Sequence, residues 1–181
     1  MEQRKQQSGR KVEDAIALLM ADHKQVQKLF KDFQKLNEGD ETEKAAIVNE
    51  ACTALTIHSQ LEEEIFYPAA REILEEDDLL DEAEVEHATA KELIAQLESM
   101  EPGEPLYEAK FTVLAEYVNH HIKEEQDEMF PAVKRAKLDV HALGERMTQR
   151  KHELEAEMGV IAPGDEEEEL EQEPRRKRVS R

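Results

Sequence analysis

Two stretches of this 181-residue chain carry the same chemistry at the same spacing. HSQLEEEIFYP, residues 58–68, sets His58 four residues before Glu62 and ends in a proline; HIKEEQDEMFP, residues 121–131, repeats this with His121, Glu125 and Pro131. Residues four apart share one face of a helix, and on a wet face such a pair is a weak ion pair of a few tenths of a kcal/mol. On a buried face it reads differently. An unpartnered carboxylate in a core costs several kcal/mol, and a bound cation removes that cost.

A single histidine accompanies each pair. His23 and His87 stand 64 residues apart, and His58 and His121 stand 63 apart, so one His followed by His-x3-Glu-x5-Pro occurs once in each half. The halves read as two helical hairpins, which together make a four-helix bundle with a shared core.

The elements needed to position these groups are helices. Gly and Pro number six each, and the residues between them follow a helical rhythm of apolar positions. We expect helices over about 12–36, 41–67, 79–100 and 107–137, with Pro68 ending or kinking the second and Pro131 bending the fourth. A further amphipathic segment, about 139–158, is expected to lie on the bundle as a fifth helix. The domain reads as all-α: residues 1–11 disordered, an antiparallel four-helix bundle over 12–137, an additional C-terminal helix over 138–160, and a disordered acidic/basic tail over 161–181.

Steps of three and four place every one of the six groups on an apolar stripe. The stripes are Ile16, Leu19, His23, Val26, Phe30, Phe33; Ile47, Ala51, Ala54, His58, Glu62, Ile65; Leu80, Ala83, His87, Ala90, Ile94, Leu97; and Phe111, Leu114, Val118, His121, Glu125, Met129. His120 and Glu124 share the four-residue spacing, but their stripe of Lys110, Val113, Tyr117 and Asp127 is too polar for a core, so they belong on a flank. Glu63 and Glu64 fall off the stripe, in solvent or behind the ligands. His141 and His152 lie outside the repeat and read as surface residues. Apart from the six groups themselves, no stripe holds a dedicated proton donor; Tyr117 or His120 on a flank would have to serve.

Four histidines and two glutamates facing one core call for two divalent cations, whose +4 offsets the two carboxylates while neutral imidazoles complete the shells. Imidazole with carboxylate suits iron, and also zinc, manganese or cobalt; no cysteine stands at ligand level, which opposes a thiolate zinc site.

Composition narrows the setting. Lys and Arg number 24 against 44 Asp and Glu, a formal net charge of -20, which opposes general binding to nucleic acid or to an anionic membrane. Cys52 is the single cysteine, so no internal disulfide exists, and MEQRKQQSGRK lacks the apolar run of a secretory signal. A cytoplasmic location is the expectation, with no membrane partner. Cys52, beside small Ala51, reads as structural.

The chain resembles the hemerythrin-like, or HHE, cation-binding domains of bacterial type. The resemblance rests on ADHKQV around His23, IHSQLEEEIFYP around His58 and Glu62, EVEHATAKELI around His87, and NHHIKEEQDEMFP around His121 and Glu125. It covers about residues 14–135, and GERMTQRKHEL beyond it is similar to a C-terminal helix of many bacterial members. The resemblance implies a non-haem di-iron centre, two iron ions bridged by carboxylates and by an oxo or hydroxo group, with His23, His58, Glu62, His87, His121 and Glu125 as metal ligands. Animal hemerythrins, which carry O2, have a seventh ligand from a second histidine four residues away on the third helix. Here those positions are Ala83 and Lys91, a departure from simple O2 carriage.

Two functions follow from one site. The first is binding or sensing of O2 or a related small oxidant, with the iron supplying the chemistry and the bundle supplying a dry pocket. The second is a di-iron enzyme acting on peroxide, nitric oxide or ferrous iron. The residues alone leave the catalytic question open, together with the oligomeric state and any protein partner.

Overall fold

The computed structural model describes residues 14–74 and 78–160 of the chain. Within these residues it is helical and carries no strand. In order come α1 (Ala15–Phe33), α2 (Glu41–Leu61), α3 (Tyr67–Arg71), α4 (Asp78–Glu98), α5 (Tyr107–Glu124), α6 (Phe130–Arg135) and α7 (Val140–Glu157). Two single π-helical turns, Glu62–Phe66 and Glu125–Met129, splice α2 to α3 and α5 to α6. The expectations for residues 1–11 and 161–181 fall outside the described residues.

Local sequence explains where several helices start and stop. Asp14 caps α1 by accepting from the Ala17 N–H at 2.9 Å, and Asp139 caps α7 by accepting from the Ala142 N–H at 3.0 Å. Between α4 and α5, Gly103 takes φ +85°, in the left-handed region where a side chain is strained.

Of an end or a kink at Pro68, the end does not occur: α3 runs on to Arg71, and past Pro131, where a bend was expected, α6 runs on to Arg135. Proline has no N–H to give the carbonyl four residues back, and each helix absorbs this by widening for one turn just before the ring. The Tyr67 N–H then bonds the Glu62 carbonyl, and the Phe130 N–H bonds the Glu125 carbonyl, each five residues back.

α1, α2, α4 and α5 form the antiparallel bundle, each touching two neighbours: α1 packs on α2 and α5, and α4 on α5 and α2. α7 crosses α1, α2 and the first π turn. It is part of the core, since Leu143, Met147 and Leu154 are buried in one cluster with Ile16, Leu61 and Phe66. Burial of such side chains contributes about 1.5–3 kcal/mol each.

The core is split across its middle. One apolar cluster gathers Ile16, Leu19, Leu61, Phe66, Leu80 and Phe130 with α7; the other gathers Phe30, Val48, Leu55, Ile94, Phe111 and Val118. On every bundle helix the expected ligands fall between the two clusters. In α2 the inward stripe uses Val48 and Leu55 more fully than Ile47 and Ala54, which are half-buried. Among the described residues no helix is long and apolar enough to cross a membrane.

Candidate metal centre

All six expected ligands are buried in this middle layer: His23, His58, Glu62, His87, His121 and Glu125. Glu62 is wholly inaccessible and Glu125 is 1 % exposed. His120, by contrast, is exposed, as is His141, while His152 is half-buried and stands outside the groups that converge on the centre.

The histidines form two pairs. His23 Nε2 and His58 Nε2 face each other at 3.2 Å, and His87 Nε2 and His121 Nε2 at 3.1 Å. The carboxylates stand between the pairs. Glu62 Oε2 lies 3.3 Å from both His58 Nε2 and His87 Nε2, while Glu125 Oε2 lies 3.1 Å from His23 Nε2 and 3.5 Å from His121 Nε2. Each glutamate therefore touches one imidazole of each pair.

Helical spacing brings this about. His58 near the end of α2 and Glu62 at the start of the first π turn stack one turn apart, His121 of α5 and Glu125 of the second π turn do the same, and α1 and α4 each turn one histidine to the same level.

Three of the four imidazoles are held from behind through Nδ1. His23 Nδ1 meets Gln126 Nε2 at 3.1 Å, His87 Nδ1 meets Glu63 Oε1 at 2.9 Å, and His121 Nδ1 meets Glu86 Oε2 at 2.8 Å. His58 Nδ1 faces Asp22 Oδ2 at 3.6 Å, beyond hydrogen-bond reach. The carboxylates of Glu63 and Glu86 accept from Nδ1, which fixes those two rings and leaves Nε2 for a metal, while Gln126 meets His23 through its amide nitrogen.

The three consecutive glutamates of the first stretch divide by role. Glu62 enters the centre, Glu63 backs His87 and pairs with Lys91, and Glu64 reaches Arg150 on α7 at 2.8 Å. Glu86 connects the centre to the flank, because its Oε1 stands 3.8 Å from His120 Nε2, which in turn lies 3.1 Å from Glu124.

Tyr67 is the residue that stripe counting overlooked. Its buried hydroxyl lies 3.1 Å from Glu125 Oε1, 3.4 Å from Glu62 Oε2, 3.2 Å from His87 Nε2 and 3.5 Å from His121 Nε2. In an unbroken α-helix a residue five beyond Glu62 sits about 140° around the axis. The π turn closes its ring at five residues and brings Tyr67 back over Glu62. The signal in the sequence was the aromatic immediately before the proline. The expectation that no inward proton donor accompanies the ligands is therefore corrected.

The electrostatics fit a cation. Burial opposes charge on Glu62, but His58 and His87 outweigh it and hold the carboxyl well below its usual range. Burial likewise opposes charge on His58, yet Glu62 and Asp22 lift that imidazole to about 10. Burial, then the charges of Glu62 and Glu125, push the Tyr67 phenol well above its ordinary value, so it remains a donor. Glu62 Oε1 and Glu125 Oε2 are buried without a hydrogen bond; the latter lies 3.1 Å from His23 Nε2 but lacks the alignment of one. Orphaned carboxylate oxygens in a layer of facing ring nitrogens are what a bound cation would satisfy.

Against the second apolar cluster the same histidines line a cavity of about 30 Å³, walled by Val26, Leu55, Ile94 and Val118. It is roomy enough for a molecule of very few atoms.

A four-helix bundle whose core carries paired histidines and shared glutamates is a cation-binding bundle of the carboxylate–histidine class. The chain matches the family model of the hemerythrin HHE cation binding domain over residues 14–133, and it belongs to that family. Among solved structures it is similar to a hemerythrin HHE cation binding domain-containing protein from Mycobacterium kansasii, with a TM-score of 0.69 and 23 % identity, covering 82 % of this chain and 91 % of the other. Among curated proteins it is 28 % identical over 123 residues to one described as a DNA nickase from Nostoc sp. strain PCC 7120. That match takes in 68 % of this chain but only 33 % of the relative.

Proposed function

We propose that this protein holds two iron ions between its histidine pairs and binds or senses O2 or a related small oxidant there. The observation that carries this reading is the placement of Glu62 and Glu125, each between one imidazole of either pair. His23 and His58 would hold one ion, His87 and His121 the other, and both carboxylates would span them. When bound, iron would supply the redox chemistry, which no side chain of the centre offers by itself. The chain's own contribution is orientation, through the groups behind Nδ1, and exclusion of water by the two apolar clusters. The apolar cavity beside the histidines suits a small neutral ligand.

Tyr67 favours a second reading, a di-iron enzyme acting on peroxide, nitric oxide or ferrous iron. A buried phenol among the four inner ligands Glu62, His87, His121 and Glu125 can hold or deliver a proton where a reacting oxygen would stand. DNA nicking is not carried over from the Nostoc relative, because the chain spans 33 % of that protein and its charge of -20 opposes DNA binding.

The test is reconstitution with ferrous iron without oxygen, followed by metal analysis. About two irons per chain are expected, and fewer than one tightly held iron would defeat the reading. O2 and then peroxide are added to the reduced protein while its absorption is followed. A reversible change supports binding or sensing; sustained loss of peroxide supports the enzyme.

A further inference from the structure

The two histidine pairs share the same two glutamates and differ in what stands behind them. Behind the His87/His121 pair stand two carboxylates in full hydrogen-bond contact, Glu63 at 2.9 Å and Glu86 at 2.8 Å. Behind the His23/His58 pair stand a neutral amide, Gln126, and Asp22, whose approach to His58 stops at 3.6 Å. Lys91 offsets part of the charge on Glu63 but leaves its contact with His87 intact. Asp22 is held differently.

The cause is visible on α7. Lys151 takes Asp22 Oδ1 at 2.5 Å, and the other oxygen, Oδ2, and His58 Nδ1 are then both buried without a hydrogen bond. Two orphaned atoms facing one another at 3.6 Å are a contact that has been stretched, and the group pulling on it comes from beyond the residues matched to the family, 14–133. The inner aromatics add to the asymmetry. Tyr67 brings an oxygen to the His87/His121 pair, whereas Phe130 lays an apolar ring against His23, with centroids 5.9 Å apart.

A carboxylate behind an imidazole raises its basicity toward a metal, and losing such a partner typically costs 10–100-fold in affinity. We infer that the two metal positions are inequivalent, and that Lys151 of α7 makes the His23/His58 position the weaker and later-filled one by drawing Asp22 away from His58. Lys151 is thus a positioning residue, acting on the metal through Asp22 and His58. The inference rests on the two-metal reading of the centre.

The test uses Co(II) as the probe, titrated without oxygen into the metal-free full chain and followed by visible absorption and calorimetry. Wild type should bind in two separated steps. His87→Ala should remove the tighter step and His23→Ala the weaker. Lys151→Met, which keeps the apolar stem, should tighten the weaker step about tenfold and leave the tighter one in place. Lys151→Arg should keep the wild-type separation, and in an Asp22→Asn background Lys151→Met should change nothing.

Should Lys151→Met fail to fold by circular dichroism, the wild-type steps, their assignment by the histidine variants and the Lys151→Arg result still decide. Two ions bound with no more than the statistical separation of equal sites would overturn this inference alone. A reversed assignment, or an unmoved weaker step in folded Lys151→Met, would overturn it too. Binding of no Co(II) would defeat the two-metal reading and this inference with it.

Discussion

Tyr67 and Phe130 hold equivalent places in the two halves of the bundle. Each lies five residues beyond a central carboxylate, directly before a proline, at the end of a π turn. Each rests against a histidine of the opposite half, Tyr67 on His87 at 5.4 Å between centroids and Phe130 on His23 at 5.9 Å. The pair differs by one hydroxyl, and that hydroxyl alone makes the repeat chemically unequal at its inner surface. Several measurable consequences follow from this and from the contacts around it.

Tyr67→Phe should keep the fold, because the ring is buried in the apolar cluster with Phe66 and only the hydroxyl is lost. Glu125 and Glu62 then lose a donor, so the metal-free protein should lose about 1–3 kcal/mol in urea unfolding. If the enzyme reading holds, peroxide consumption by the iron-loaded variant should fall at unchanged iron content. Unchanged consumption would remove Tyr67 from any proton-handling role.

His121→Ala should sharply lower iron content, whereas His120→Ala should largely preserve it, measured side by side after the same reconstitution. His121 is buried against His87 and Glu125, while His120 is exposed and reaches the centre only through Glu86. The reverse result would mean that the other face of α5 carries the ligands.

Metal-free protein should lose stability on the alkaline side. The His58 imidazole is lifted from 6.5 to about 10 by Glu62 and Asp22 against the opposing effect of burial, so its contribution is complete below about pH 6.5 and is lost as pH rises through about 10. Glu62 works in the other direction: its carboxyl is lowered from 4.5, so its contribution is present above that value and is lost on acidification. Thermal midpoints of chelator-treated protein should therefore decline between pH 7 and 10, and His58→Gln should flatten that decline. With metal bound, the imidazole serves as a ligand and the alkaline slope should shrink.

Cys52 should resist thiol reagents in the folded protein. It is 2 % exposed, and burial, with Glu98 adding to it, pushes the thiol up to about 12, leaving little thiolate at neutral pH. Labelling should become rapid only in denaturant. Rapid labelling of native protein would show that the α2 face around Ala51 opens readily.

Met147→Ala should destabilise the whole domain by about 2–5 kcal/mol, read from urea unfolding. Met147 is wholly buried in the cluster that also holds Ile16, Leu61 and Phe66, so α7 is part of one cooperative core. A loss confined to α7, with the bundle transition unmoved, would contradict this.

Much of the molecule was legible in its residues. The 3.6-residue rhythm is a local property of each helix, and a histidine or glutamate that falls in step with leucines and phenylalanines must be buried with them; this alone turned all six inner groups toward the core. The Asp caps at 14 and 139 are local as well, but the helix expected from about residue 12 passed over the first of them. What the chain could not disclose by rhythm was a departure from rhythm. Pro68 and Pro131 announce that a helix must give way, but not that it does so by one π turn, so Tyr67 came inward unannounced. The partners behind the imidazoles were hidden for another reason. Asp22 and Lys151 are 129 residues apart, and nothing in their neighbourhoods marks them as a pair. Periodicity determined which side chains enter the core; only the docking of α7 on α1 decided how firmly Asp22 can support His58, because that contact exists nowhere but in three dimensions.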